Sequence, residues 1–233
     1  MSTRILALDI EGDGQNPSNL VQLGISELDG AFRPTGRHHE WMVKPPGPIS
    51  YFATRVHGIR DADVAHLGPV AEALPEIAAT LRNDPIVGHG VRGDYIKIKR
   101  LLPDWEPEAG YDTLKLAKDL RPGLPSYRLV AVGEALGLNA AAEAEFPDGA
   151  HAAPFDALLA GLVANELTRE LSPRALRQAL TRSDIFNFRA GRSTLSARDR
   201  KALAEAERVG RQEALTLEAD GAPATVDPPD PPR

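Results

Sequence analysis

Asp9 and Glu11 stand two residues apart inside an otherwise apolar run, Ile5-Leu6-Ala7-Leu8-Asp9-Ile10-Glu11. Such a run reads as a buried strand, and the two-residue period of a strand sends both carboxylates to one face. Neighbouring anions in apolar surroundings are costly unless a positive charge sits between them, and a divalent cation is the usual occupant. The competing reading is a strand end whose acids face solvent. Three further residues can join this pair. Asp94 lies at the start of a predicted helix, after His89-Gly90-Val91-Arg92-Gly93, and Asp156 lies near the start of a second, strongly apolar one. An acid at either position also serves as a helix cap, favourable by about 0.5–2 kcal/mol. His151 sits five residues before Asp156, in a loop that begins Asp148-Gly149-Ala150. Each residue alone has a structural explanation. The set, in this order and always beside glycine or a loop, is much harder to dismiss.

The elements that must position these groups follow from hydrophobic periodicity. Residues 4–10, 20–28 and 39–44 read as three strands joined by short connections, an antiparallel meander with a hairpin signal at Asp29-Gly30. His38 and His39 read as surface residues of the third strand. Residues 49–59, ending Thr54-Arg55-Val56-His57-Gly58-Ile59, read as a loop in which His57 either lies against a ligand or caps a helix. Val70, Leu74, Ile77 and Leu81 share one face of a helix over 69–81. A short buried strand over 86–89 leads to Asp94 and a basic helix over 95–102. There Lys97, Lys99 and Arg100 form either a solvated face or a phosphate contact. Further helices are expected over 114–118, 127–136 and 157–164, the second ended by Gly137. Helical pieces over 173–188 and 196–217 precede a Pro-rich acidic tail over 218–233, which is expected to be disordered.

The chain of 233 residues is long enough for one sizeable core, and its 42% hydrophobic content is that of a globular protein. No apolar run approaches the roughly 20 residues that cross a bilayer, and no secretory signal pattern precedes the first strand, so a cytoplasmic location is expected. The absence of cysteine excludes disulfides and thiolate ligands, leaving oxygen and imidazole for any metal. The net charge of −6 does not advertise a nucleic-acid binder, but it is unevenly spread: −7 over 1–164, +4 over 165–217 and −3 over 218–233. An acidic site that loads divalent cations still accepts a polyanion, because the metals reverse its local charge.

Over residues 4–170 the pattern resembles the DEDDh exonucleases of the ribonuclease H-like superfamily. Asp9-Ile10-Glu11 is similar to the family's first motif, Asp-x-Glu. Asp94 stands where the second motif ends, although His89-Gly90-Val91-Arg92-Gly93-Asp94 replaces the usual His-Asn-x-x-Phe-Asp. His151-x4-Asp156 matches the third. Val56-His57-Gly58-Ile59, Tyr111-Asp112-Thr113-Leu114 and Tyr127-Arg128-Leu129 are similar to family segments in the same order. After Glu11, Gly12-Asp13-Gly14 stands where the family often has Thr-Gly.

The resemblance implies an α/β fold: a ribonuclease H-like mixed five-stranded sheet, three antiparallel strands first and then parallel ones, flanked by helices. It implies an exonuclease domain over 1–171, followed by a helical, net basic extension over 172–217 and the tail over 218–233. It also implies hydrolysis of DNA or RNA from the 3′ end to 5′-mononucleotides, with two Mg²⁺ or Mn²⁺ ions. Asp9, Glu11 and Asp156 would hold one ion, Asp9 and Asp94 the other, and His151 would be the general base. Gly12 and His57 would flank the terminal nucleotide of a nucleic-acid 3′ end, single-stranded by expectation. The extension reads first as an Arg-rich solvated helix; Arg174, Arg177 and Arg182 could instead guide a strand or form a docking surface for a protein partner. The rival reading is a non-catalytic binding module that has kept the fold, for which the altered second motif is the only support.

Overall fold

A computed structural model describes residues 4–186 of the chain. The expected helix over 196–217 and the tail over 218–233 lie outside the described residues. The sheet has five strands in the order β3-β2-β1-β4-β5, namely β1 (Ile5–Gly12), β2 (Leu20–Leu28), β3 (Pro34–Met42), β4 (Ile86–Gly88) and β5 (Gly110–Asp112). β1 pairs antiparallel with β2, and β2 with β3, whereas β4 runs parallel to β1 and β5 parallel to β4. The expected sheet, an antiparallel meander continued by parallel strands, is therefore present. The third strand begins earlier than its sequence suggested, at Pro34, because exposed Thr35-Gly36-Arg37 carries no apolar alternation.

Nine helices flank this sheet among the described residues: α1 (Tyr51–His57), α2 (Asp61–Val64), α3 (Val70–Leu81), α4 (Arg92–Leu101), α5 (Thr113–Leu120), α6 (Leu129–Ala135), α7 (Asn139–Glu145), α8 (Ala153–Thr168) and α9 (Pro173–Ser183). The segment expected to be a loop at 49–59 holds α1. Ser50 caps it by accepting from the Ala53 amide, and Gly58 ends it with φ of 78°. No residue of α1 is buried, so no apolar stripe marks it in the sequence.

β1 divides the core between two helical layers. Leu6, Leu8 and Ile10 face α3 and α4, packing with Ile77, Leu81, Tyr95 and Ile98. Ile5 and Ala7 point to the other side, with Leu28, Val87 and Ala164 of α8. α8 is apolar around most of its circumference, as a helix buried on several sides must be. Residues 173–186 pack onto the same body. Ala179 enters the α5–α8 cluster, Ile185 enters the β1–α4 cluster, and the Ile185 amide donates to the Gly110 carbonyl at 2.7 Å.

Candidate active site

The sheet brings the acids together at the carboxyl end of β1, beside the first turns of α4 and α8. Asp9 leaves β1 on the α8 side and is opposite Gly24 of β2. A Cβ at Gly24 would fall inside the backbone of Ala153 and Pro154, so glycine alone lets the start of α8 cross β2 there. Gln22, opposite Glu11, fixes that crossing by accepting from the Ala153 amide at 3.0 Å. Asp156 follows within the first turn of α8 and lies 8% exposed. Asp94 enters from the opposite flank, in the first turn of α4, also 8% exposed.

Asp9, Glu11, Asp94 and Asp156 thus form one electrostatic cluster from three separate segments. Burial, then Asp94, Asp156 and Glu11, push the Asp9 carboxyl well above the usual carboxylate range. Burial and the Asp156 charge raise Glu11 to about 7. Burial raises Asp94 to about 6 and Asp156 to about 6. Four carboxyls that all resist ionisation need a partner of opposite charge. Ligand atoms of Glu11, His151 and Asp156 lie within 4.8 Å of one another, and the buried Asp156 Oδ1 has no hydrogen-bond donor. An orphaned anionic oxygen amid convergent oxygen and imidazole donors fits a hard or borderline divalent cation.

His151 sits at the mouth of the cluster. Its side chain is 57% exposed and its Nδ1 is 3.9 Å from Asp156 Oδ2, while its own amide donates to that same oxygen at 3.3 Å. Its φ of 65° is uncommon for a residue with a Cβ, and such conformations concentrate at functional positions. His57 is half-buried. The Ile59 amide donates to its Nδ1 at 3.1 Å, which places the proton on Nε2, and Nε2 donates to the Gly12 carbonyl at 3.2 Å. Burial holds this imidazole below its usual pKa, so it is a neutral clamp on the turn after β1. A Cβ at Gly12 would displace Ser18 Oγ, which donates to Asp13 Oδ1.

Several positioning residues escaped the sequence reading. Asp13 is fully buried and accepts from the Asn19 amide at 2.9 Å, Asn19 Nδ2 at 2.6 Å and the Gln15 amide at 3.0 Å, which closes the loop after Glu11. Asp112 accepts from the Gly90 and Leu114 amides, tying the entry to α4 to the cap of α5. His89 is committed to the Tyr127 carbonyl at 2.7 Å and the Thr113 hydroxyl at 2.9 Å. The basic residues of α4 part company. Lys99 bonds the Trp105 carbonyl and Glu106, Arg100 bonds the Ser18 carbonyl, and Lys97 turns into the acidic cluster. For Lys99 and Arg100 the structure replaces both expected readings, solvated face and phosphate contact, with buried packing. A glycine inside a strand was the legible signal for Gly24, since it marks close approach of another backbone.

A five-stranded sheet of this order with acids gathered at the carboxyl end of its central strand defines a ribonuclease H-like nuclease domain. The sequence profile of the RNase T type, described as Exonuclease, matches residues 6–162. The chain belongs to that exonuclease family, among the DEDD-type enzymes of the ribonuclease H-like superfamily. It is 30% identical over 154 residues to the PolC-type DNA polymerase III of Mycoplasmopsis pulmonis, covering 64% of this chain and 10% of that protein. It is also 30% identical over 135 residues to RNA exonuclease 4 of Xenopus laevis, covering 55% of this chain and 30% of that one. The chain thus spans a minor part of these relatives. Among solved structures, E. coli Exonuclease I in complex with a dA16 oligonucleotide superposes with a TM-score of 0.64 at 20% identity, over 81% of this chain and 45% of that one. Exonuclease X in complex with 5′ overhanging duplex DNA gives 0.55 at 23% identity, over 76% of this chain and 99% of that one. Among the described residues no helix is long and apolar enough to cross a membrane.

Proposed function

We propose that this chain is a metal-dependent 3′–5′ exonuclease that hydrolyses phosphodiester bonds of DNA or RNA stepwise to 5′-mononucleotides. The observation that carries the reading is the buried, unpartnered Asp156 Oδ1 within a cluster of four carboxyls that burial keeps from ionising freely. Asp9, Glu11 and Asp156 would hold one divalent ion, Mg²⁺ or Mn²⁺, and Asp9 and Asp94 a second. When bound, such ions supply a nucleophilic water and neutralise charge on the scissile phosphate. His151, exposed at the mouth, accepts the proton of the attacking water. Gly12 and the His57 clamp shape the wall against which the 3′-terminal nucleotide rests.

A single-stranded 3′ end fits the surroundings. Tyr51, Phe52 and Val56 of α1 are the large exposed hydrophobics of the described residues, at 69%, 79% and 53%, on the helix that ends in His57. The Tyr51 and Phe52 rings meet edge to face at 5.8 Å, with the Arg55 guanidinium 5.9 Å from the Tyr51 centroid. Unpaired bases stack on such aromatic groups, and a guanidinium beside them attracts phosphate.

The test is gel analysis of a 5′-labelled single-stranded oligonucleotide incubated with the protein and Mg²⁺ or Mn²⁺. One-nucleotide shortening is expected, and matched DNA and RNA strands, single and duplex, decide the substrate class. Binding without metal-dependent turnover on any of them would replace this reading with a non-catalytic module. His151→Ala is expected to slow the reaction by about a hundredfold or more while keeping metal affinity. Collapse of metal affinity instead would make His151 a ligand.

A further inference from the structure

Lys97 follows Asp94 by three residues on α4, so the two side chains leave the same helical face. Its Nζ is 3.5 Å from Asp94 Oδ1 and donates to the carbonyl of Ile10 at 3.2 Å, the residue between Asp9 and Glu11. The ammonium therefore touches both segments that face each other across the Asp94 side of the cluster. Its neighbours Lys99 and Arg100 are drawn into packing elsewhere, so this placement is particular to position 97. The two sides of the site are consequently unlike. On the α8 side the ligand atoms of Glu11, His151 and Asp156 converge and Asp156 Oδ1 lacks a partner. On the α4 side a fixed positive charge already faces Asp94. The same ammonium moderates the raised pKa values of Asp9, Glu11 and Asp94.

We propose that Lys97 is a built-in counter-cation of the Asp9/Asp94 half of the site, which a second divalent ion must displace, so that the two metal positions load unequally. The inference rests on the metal-dependent reading above. The first ion enters beside Glu11 and Asp156 with Lys97 in place. The second gains Asp94 only when the ammonium withdraws, because a unit charge and a divalent ion a few ångströms apart repel strongly in a partly buried site. Lys97 is in this sense a positioning residue, acting through Asp94 rather than on a reacting atom.

Titration of the full chain with MnCl₂, without nucleic acid, reads this directly by calorimetry and by the electron paramagnetic resonance of bound Mn²⁺. Wild type is expected to take one ion tightly and a second about tenfold or more weaker. Lys97→Met, which keeps most of the length of the side chain and removes its charge, is expected to tighten the second site about tenfold and the first by a smaller factor, since the ammonium also acts on Asp9 and Glu11. Lys97→Gln repeats the charge removal with a polar side chain, and circular dichroism in EDTA verifies that each variant is folded. Two equally tight sites in wild type overturn the proposal without any variant. A second site unchanged or weakened in the folded variants overturns it as well, while leaving the metal reading intact. No Mn²⁺ uptake by wild type or variants overturns the metal reading itself, and the exchange with it.

Discussion

Asp156 illustrates a conflict between stability and chemistry that single residues of this protein carry. Its carboxyl is held in a partly desolvated site beside other acids, with one oxygen unsatisfied. Asp156→Asn removes the charge and keeps the shape. Trimming activity is expected to fall by about a thousandfold or more. In EDTA the same variant should melt about 2–4 °C above wild type, because one unpaired buried charge is gone. A melting temperature lowered by the substitution would contradict this account. The pH dependence has the same origin. Glu11, Asp94 and Asp156 titrate higher in the folded protein than in the unfolded chain, at about 7, 6 and 6. A raised carboxyl adds stability that is complete below the unfolded pKa and lost as pH rises through the folded one. Metal-free protein should therefore melt progressively lower from pH 5 to about 7, and saturating Mn²⁺ should reverse that slope, which a series of thermal scans would reveal. Asp9 and Glu11 were readable because their spacing sends both to one face, whereas Asp94 and Asp156, each also readable as a helix cap, were joined to them by resemblance to the family's motifs. The direction of Lys97 and the loop-closing role of Asp13 were not readable, because each depends on partners distant in sequence or on a loop conformation without periodicity.

At the scale of elements, the site depends on how α8 meets the sheet. Its first turn passes over Gly24, and the Gln22 side chain anchors the Ala153 amide. Gly24→Ala should force that turn away from β2, lowering stability by about 1–3 kcal/mol and trimming activity by a larger factor than stability alone explains. Denaturant unfolding beside a rate measurement separates the two effects. A variant with normal activity would show that Asp156 does not depend on this crossing. The helix was legible as a long apolar run, and the meander as alternating strands with turn signals. α1 was not, since a helix with no buried face leaves no period to read. Nor was the full length of α8, which begins at Ala153 rather than 157, because Ala153-Pro154 at its start reads equally well as loop.

For the whole molecule, the described fold is closed by residues after α8. α9 lies against α5, where Arg182 pairs with Asp119, and Ile185 is 1% exposed in the cluster formed by β1, α3 and α4. Ile185→Ala should cost about 2–5 kcal/mol in chemical unfolding, and a change under about 0.5 kcal/mol would mean that this segment merely rests on the surface. Sequence composition marked the region after 171 as basic and helical, but a net charge says nothing of which single apolar residue reaches the core. The placement of Asp156 on α8 has one more consequence. It follows Asp9 by 147 residues, and the segment that sets it is the helix laid across the finished sheet. As the chain leaves the ribosome, at about 5–20 residues per second, Asp9, Glu11 and Asp94 emerge seconds before Asp156. A half-made chain thus carries an incomplete set of acids, and the proposed site can be completed only once synthesis has passed α8.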